Sequence, residues 1–277
     1  MNAGDAVDWL AEAPATTAIL TDFDGTLSAV VTRAEDARPL AGVPDLLKRL
    51  AAQLGFVGVV SGRQVAWLVE QLALSGQVET AGPAGHGIVH AAGLHGLERS
   101  TGDSPHLADG VATWLPVIEH ARDEARAEAP DGVDVEDKGY GVTLHWRKIA
   151  DREGIADAVS RLAERLADST GLRVRPGKAS VELVPPVGID KGSVVREWVA
   201  SRGLKRVGFL GDDVSDLAAF VAIDKLCAGP EAAIAGLKVA VAGAEVPAEL
   251  IDRADVVLAG PPEAVAMLRA LADRLGG

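Results

Sequence analysis

With 277 residues, 48% of them hydrophobic, the chain can bury a full core as one large domain or two smaller ones, which excludes a disordered protein. A formal charge of −13 excludes a broad nucleic-acid-binding face, so any phosphorylated ligand must be held by a local cationic site. No apolar run approaches the ~20 residues that span a bilayer, no cation precedes Arg33 as a signal peptide would require, and the lone Cys227 fits a reducing compartment, so a cytoplasmic protein without nucleic-acid or membrane partners is expected.

In chain order, Thr17 to Thr21 reads as a buried strand that runs into Asp22-Phe23-Asp24-Gly25-Thr26. At a strand end, the Asp22 side chain and the backbone and side chain of Asp24 can converge on one point in the mouth of a sheet. Such a point suits a hard divalent cation such as Mg²⁺, which takes oxygen ligands. A carboxylate beside it can attack phosphorus to give an aspartyl-phosphate. The same string also reads as a plain acidic turn. Pro39 to Leu54 has helical spacing with Leu46, Leu47, Leu50 and Leu54 on one face, and Phe56 to Val60 is a second apolar strand. That strand closes on Ser61-Gly62-Arg63, where the Ser61 hydroxyl and nearby N–H groups can hold a phosphoryl oxygen or simply cap the helix expected over Gln64 to Leu74. His86, His90 and His95 lack helical zinc-site spacing, because Gly87, Ile88 and Val89 work against a helix there. Trp9, Trp67, Trp114 and Trp198 read as packing residues.

The middle of the chain has a different pattern. A helix is expected from about Pro105 to Ala129, strands over Val133 to Glu136 and Tyr140 to Trp146, an amphipathic helix over Asp151 to Asp168, and strands over Leu172 to Arg175 and Ser180 to Val184. This order suits a small antiparallel sheet backed by helices, with hinges at Thr101 to Pro105 and at Pro185-Pro186-Val187-Gly188. Strand and helix then alternate again, with helices over Lys191 to Ser201, Val214 to Val221 and Pro262 to Leu275, and strands over Arg206 to Leu210, Leu237 to Ala242 and Asp255 to Leu258. The fold class is therefore α/β, a doubly wound, mostly parallel Rossmann-like core sheet with an inserted α+β domain. Lys191 opens a helix, where the dipole disfavours a structural cation, and this favours an anion-binding role. Asp212, Asp213 and Asp216 form a second acidic cluster at a strand end, and helix capping explains one or two of them but not all three.

Together, Asp22-Phe23-Asp24-Gly25-Thr26, Ser61-Gly62-Arg63, Lys191 and Gly211-Asp212-Asp213-Val214-Ser215-Asp216 resemble the four motifs of the haloacid-dehalogenase superfamily of phosphatases. Aspartate at the second acidic position resembles the phosphatase version, in which that residue moves protons. The blocks Gly93 to Glu98, Glu136 to Arg147 and Gly177 to Pro185 are similar to those of trehalose-6-phosphate phosphatases, so the resemblance covers about Thr17 to Leu268. Gly141 departs from the serine common in that family, and Pro83 to His90 is slightly expanded.

The resemblance implies a catalytic core of residues 1–103 and 186–277 and an inserted specificity cap of 104–185. It implies Mg²⁺-dependent hydrolysis of trehalose 6-phosphate in trehalose biosynthesis, functionally coupled to a trehalose-phosphate synthase. Asp22 would be the nucleophile and Asp24 the proton carrier, with Ser61 and Lys191 on the phosphoryl group. Asp22, Asp24 and Asp212 would hold the metal, supported by Asp213 and Asp216. Gly25, Gly62, Arg63, His95, Glu136, Lys138, Arg147, Lys178 and Glu182 would contact substrate. Residues alone also allow cross-strand salt bridges for Glu136, Lys138, Lys178 and Glu182. The same chemistry on sucrose 6-phosphate or a mannosyl-phosphoglycerate is the nearest alternative, and a non-catalytic sugar-phosphate-binding module is the alternative of another class.

Overall fold

Short apolar strands separated by amphipathic helices fold as their periodicity dictates. The computed structural model describes residues 1–31, 33–77, 87–100, 105–149, 152–177, 179–229, 234–244 and 246–276. Helices are α1 (Ala3–Ala11), α2 (Val43–Gln53), α3 (Val65–Gln71), α4 (Leu115–Glu128), α5 (Arg152–Thr170), α6 (Lys191–Ser201), α7 (Leu217–Cys227), α8 (Ala248–Arg253) and α9 (Pro261–Leu275). Strands are β1 (Thr17–Thr21), β2 (Phe56–Val60), β3 (Val89–Gly93), β4 (Glu98–Ser100), β5 (Pro105–Leu107), β6 (Asp134–Asp137), β7 (Val142–His145), β8 (Arg173–Gly177), β9 (Ser180–Val184), β10 (Arg206–Gly211), β11 (Ala235–Val241) and β12 (Val256–Leu258).

The chain divides into two compact units, Met1–His106 with Asp190–Gly277, and Leu107–Ile189. The first holds a sheet of order β12-β11-β10-β1-β2-β3-β4-β5. From β12 to β3 all pairings are parallel, and β4 returns antiparallel on β3. Both faces of the central strands are buried, which is why they read as unbroken apolar runs. Ile19, Val57, Val59 and Leu210 pack with α1, α2, α3 and α9 on one face. Ala18, Leu20, Phe56, Val60 and Phe209 pack with α6, α7 and α8 on the other. Because β2, β1 and β10 are parallel neighbours, Ser61, Asp22 and Asp212 all emerge at the carboxyl end of the sheet, where open α/β sheets place their ligands.

The second unit is a four-stranded antiparallel sheet of order β6-β7-β9-β8. One face, with Val142, Leu144, Val181 and Leu183, packs on Ile118 and Ala121 of α4 and Val159, Ala163 and Leu166 of α5. Among the described residues, no helix is long and apolar enough to cross a membrane.

Some elements depart from the sequence expectation, and others form where it placed none. Pro105–Leu107 is a strand, and α4 starts only at Leu115, after a 3₁₀ turn over Ala112–Trp114. Pro116, in the first turn of α4, is tolerated because its missing N–H would be unsatisfied there anyway. Val214–Asp216 is likewise a 3₁₀ turn that leads into α7 rather than its first turn. Residues 89–100 fold as β3 and β4 although their Ala-Ala-Gly stretch carries no strong strand propensity. Residues 101–104 of the expected first hinge, and residues 83–86 of the expanded stretch, including His86, lie outside the described residues.

Candidate active site

Three buried carboxylates, Asp22, Asp212 and Asp216, place one ligand oxygen each within 4.8 Å of the others. They are gathered by different devices. Asp22 continues β1, and its N–H donates to the Leu210 carbonyl at 2.8 Å. Asp212 follows β10 directly. Asp216 closes the turn beyond it, with Oδ2 accepting from the Asp212 and Asp213 N–H groups at 3.0 and 2.9 Å. Asp213 spends its carboxylate on capping that turn, accepting from the Val214 N–H. Glycine makes this closeness possible. A Cβ on Gly25, whose φ is +79°, would fall 2.2 Å from Asp212 Oδ2, and one on Gly211 would fall 2.4 Å from Asp216 Cγ.

Lys191 is the cation of the cluster. It is the first residue of α6, whose start is fixed by a capping box between Asp190 and Ser193. Its Nζ lies 2.9 Å from Asp22 Oδ1 and 2.7 Å from Asp216 Oδ1, with only 1% of the side chain exposed. Gly192 lets the helix approach, since a Cβ there would meet the Ala218 carbonyl oxygen at 2.3 Å. Burial by itself would lower the Lys191 pKa, but Asp216 and Asp22 outweigh it and raise it. Burial pushes the Asp22 carboxyl well above the usual carboxylate range; Lys191 opposes this, while Asp216 and Asp212 add to it.

Three carboxylates against one ammonium leave negative charge uncompensated in a buried place. Asp216 has both oxygens engaged by Lys191 and backbone N–H groups, so Asp22 and Asp212 are the members placed to take a metal. An all-oxygen donor set with a gap kept open by Gly25 fits a hard cation of the Mg²⁺ type.

Beside this cluster, Asp24 is gripped by Arg63. Arg63 Nε and Nη2 donate to Asp24 Oδ2 and Oδ1, both at 2.7 Å, a fork-to-fork pair. Ser61 is buried at the end of β2, and its hydroxyl accepts from the Arg63 N–H at 3.2 Å. It does not cap α3. The N-cap position is Gln64, and Glu98 of β4 accepts the Val65 N–H at 2.7 Å. Burial raises Glu98 above its ordinary value of 4.5, opposed by that N–H. The block of residues 93–98 braces the Ser61 loop from beneath. The Leu94 and His95 N–H groups donate to the Arg63 and Ser61 carbonyls at 2.9 and 2.8 Å. His95 adopts φ +55°, and a Cβ on Gly62 would lie 3.0 Å from its Nε2.

In the second unit, strand register aligns Glu136, Thr143, Glu182 and Arg175 in one row across β6, β7, β9 and β8, on the face opposite the unit's core. Lys138 Nζ lies 3.5 Å from Glu182 Oε1 and 3.9 Å from Glu136 Oε2. Arg175 Nη1 donates to Glu182 Oε2 at 3.2 Å, and His145 Nε2 is 2.8 Å from Glu136 Oε2. Glu136, Lys138 and Glu182 are thus brought together as expected from sequence, with Arg175 and His145 joining them. Sequence reasoning missed Arg175, whose only signal is its pairing position opposite Glu182. Arg147 lies in the turn after β7. Lys178 lies outside the described residues.

The profile of the family described as Trehalose-phosphatase matches residues 20–246. The trehalose-phosphate phosphatase of Mycolicibacterium paratuberculosis is 38% identical over 217 residues, 74% of this chain and 51% of that protein. That of Mycobacterium marinum is 37% identical over 216 residues, with the same coverage. The chain therefore spans about half the length of the curated relatives it matches. Among solved structures, the C-terminal domain of C. albicans trehalose-6-phosphate phosphatase shares the fold with a TM-score of 0.76 at 20% identity, covering 97% of this chain and 96% of that one. Its length of matched sequence, with the carboxylate cluster and its lysine inside it, makes this chain a member of the trehalose-phosphatase family.

Proposed function

We propose that the protein hydrolyses trehalose 6-phosphate to trehalose and phosphate, with Asp22 as nucleophile. The observation that carries the reading is the buried Asp22–Lys191–Asp216 triad beside Asp212, which sets a carboxylate, a cation and an oxygen-lined gap at one strand end. Asp22 forms a bond to phosphorus as the bond to the sugar oxygen breaks, and Asp24 gives that oxygen its proton. Asp24 then takes a proton from the water whose oxygen bonds to phosphorus, releasing Asp22 and phosphate. The Ser61 hydroxyl, Lys191 and the Gly62 N–H hold the phosphoryl oxygens, and Asp216 keeps Lys191 in place. Asp22, Asp212 and the Asp24 carbonyl would hold Mg²⁺, which when bound reduces repulsion between the nucleophile and a phosphate dianion.

The second unit is read as the specificity cap. Its row of Glu136, Lys138, Glu182 and Arg175 offers both acceptors and donors, as recognition of sugar hydroxyls requires. Family membership supports trehalose as the sugar and a trehalose-phosphate synthase as the source of substrate. The single Cys227 supports a reducing, cytoplasmic setting.

The test is phosphate release from a panel of trehalose, sucrose and mannosyl-glycerate phosphates, with and without Mg²⁺, for the wild type and Asp22→Asn. Selective, chelator-sensitive release from trehalose 6-phosphate that is abolished in the variant is expected. Preference for another sugar moves the substrate assignment. Tight sugar-phosphate binding with no release at all turns the chain into a binding module.

A further inference from the structure

Arg63 lies just before the Gln64 N-cap of α3, and Trp67 lies in the first turn of that helix. The Arg63 guanidinium carbon sits 4.5 Å from the centre of the Trp67 ring, a cation–π geometry. The same ring meets Phe23 edge to face at 5.0 Å and 89°. Phe23 is fully buried and is bonded directly to Asp24, whose two oxygens are held by the Arg63 fork. Asp24, Arg63, Trp67 and Phe23 therefore close a circuit. A guanidinium on a flexible stem has many orientations; an indole face beneath it and a carboxylate in front of it select one.

We propose that Trp67 is a positioning residue for Asp24, acting through Arg63. This rests on the reading of Asp24 as the proton carrier. In the first step the Asp22 oxygen bonds phosphorus, the bond from phosphorus to the sugar oxygen breaks, and Asp24 protonates that oxygen. In the second, water oxygen bonds phosphorus, the bond to Asp22 breaks, and Asp24 receives the water proton. An aryl phosphate with an acidic phenol loses its leaving group without help, so only the second step then depends on where Asp24 is held.

Trp67→Leu keeps an apolar side chain and removes the ring face. On trehalose 6-phosphate kcat should fall about two- to thirty-fold, the range a cation–π contact supports. On 4-nitrophenyl phosphate the variant should show a burst of nitrophenol equal to the enzyme concentration, then slow turnover. Intact mass should show one phosphoryl group added during that turnover. Trp67→Phe, which retains a ring face, should restore most of the rate. Arg63→Lys, which keeps the charge and loses the fork, should give the same burst, and adding Trp67→Leu to it should lower the rate no further.

A folded Trp67→Leu enzyme with equal losses on both substrates and no burst overturns the role of Trp67, as does full additivity with Arg63→Lys. Asp24→Asn is the control that separates the two readings. Phosphoryl mass in Asp24→Asn without a burst in Trp67→Leu overturns the positioning role alone. Absence of phosphoryl mass from both variants overturns the aspartyl-phosphate chemistry, and the positioning role with it.

Discussion

Replacing Lys191 with methionine keeps the length of the side chain and deletes its charge. The lysine is 1% exposed, Asp216 is fully buried and the Asp22 side chain is 6% exposed, so bulk water cannot replace the missing cation. At 2.7 and 2.9 Å, each pair carries about 6 kcal/mol of Coulomb attraction at an effective dielectric constant near 20, largely offset by desolvation. Truncating one partner leaves buried charge uncompensated, which destabilises by about 3–5 kcal/mol. Urea unfolding in the presence of chelator should show that deficit at neutral pH. The deficit should shrink as pH falls toward the ordinary carboxylate range, because an acid whose pKa is raised by folding contributes stability that is present at low pH and lost as pH rises through the raised value. Asp22 is such an acid, and loss of Lys191 removes the one influence that lowers it. Turnover should fall by about two to three powers of ten, the usual effect of losing a donor to a developing negative charge. A deficit below about 1 kcal/mol, or one that does not change with pH, would refute the picture of Lys191 as the compensating charge.

Gly25→Ala adds about 1–2 kcal/mol of left-handed strain and drives a methyl into Asp212, so the Mg²⁺ concentration giving half-maximal activity should rise at least about tenfold. An unchanged Mg²⁺ requirement in a folded variant would take Asp212 out of the metal site. Glu98→Gln keeps an acceptor for the Val65 N–H and removes a buried acid. Since Glu98 is raised above 4.5 by burial, its contribution to stability is lost as pH rises through its folded value, so the variant should gain on the wild type as pH rises from 4.5 in urea unfolding. A constant difference across that rise would show that Glu98 carries no such penalty. Glu182→Ala should lower kcat/KM for trehalose 6-phosphate by about one to two powers of ten more than for 4-nitrophenyl phosphate, which lacks a second sugar. Equal losses would assign the residue to stability of its own sheet.

What could be read from sequence was what local chemistry dictates. Thr17–Thr21 and Phe56–Val60 are buried on both faces, and Lys191–Ser201 has helical spacing; these three match the structure residue for residue. Strand-end positions of Asp22, Ser61 and Asp212 followed from the same patterns. Elements held by tertiary contacts were not legible. β3 contains Ala91, Ala92 and Gly93 and is a strand because β2 and β4 flank it, not because of propensity. α1 has a capping box at Asn2 and Asp5, yet its apolar positions gain meaning only from α9, against which it packs. Within the site, the fork between Arg63 and Asp24 and the indole beneath it join residues from different strand ends, and no spacing rule announces such a pair. Arg175 was equally silent, since its partner is set by the register of β8 on β9.

The placement of β1 between β2 and β10 ties chemistry to the order of synthesis. On the ribosome, β1 can acquire β2 and β3 early, but its other edge stays open until residues 206–211 have been made. During that interval an apolar strand with unpaired backbone groups is exposed, the kind of edge that invites aggregation. Asp22 meanwhile has neither Lys191 nor Asp212 beside it, because the whole second unit lies between them in the chain. Asp22, the proposed nucleophile, is thus translated long before the groups that surround it in the folded chain. A chain that stalls inside the second unit lacks Lys191 and Asp212 and keeps that edge of β1 open.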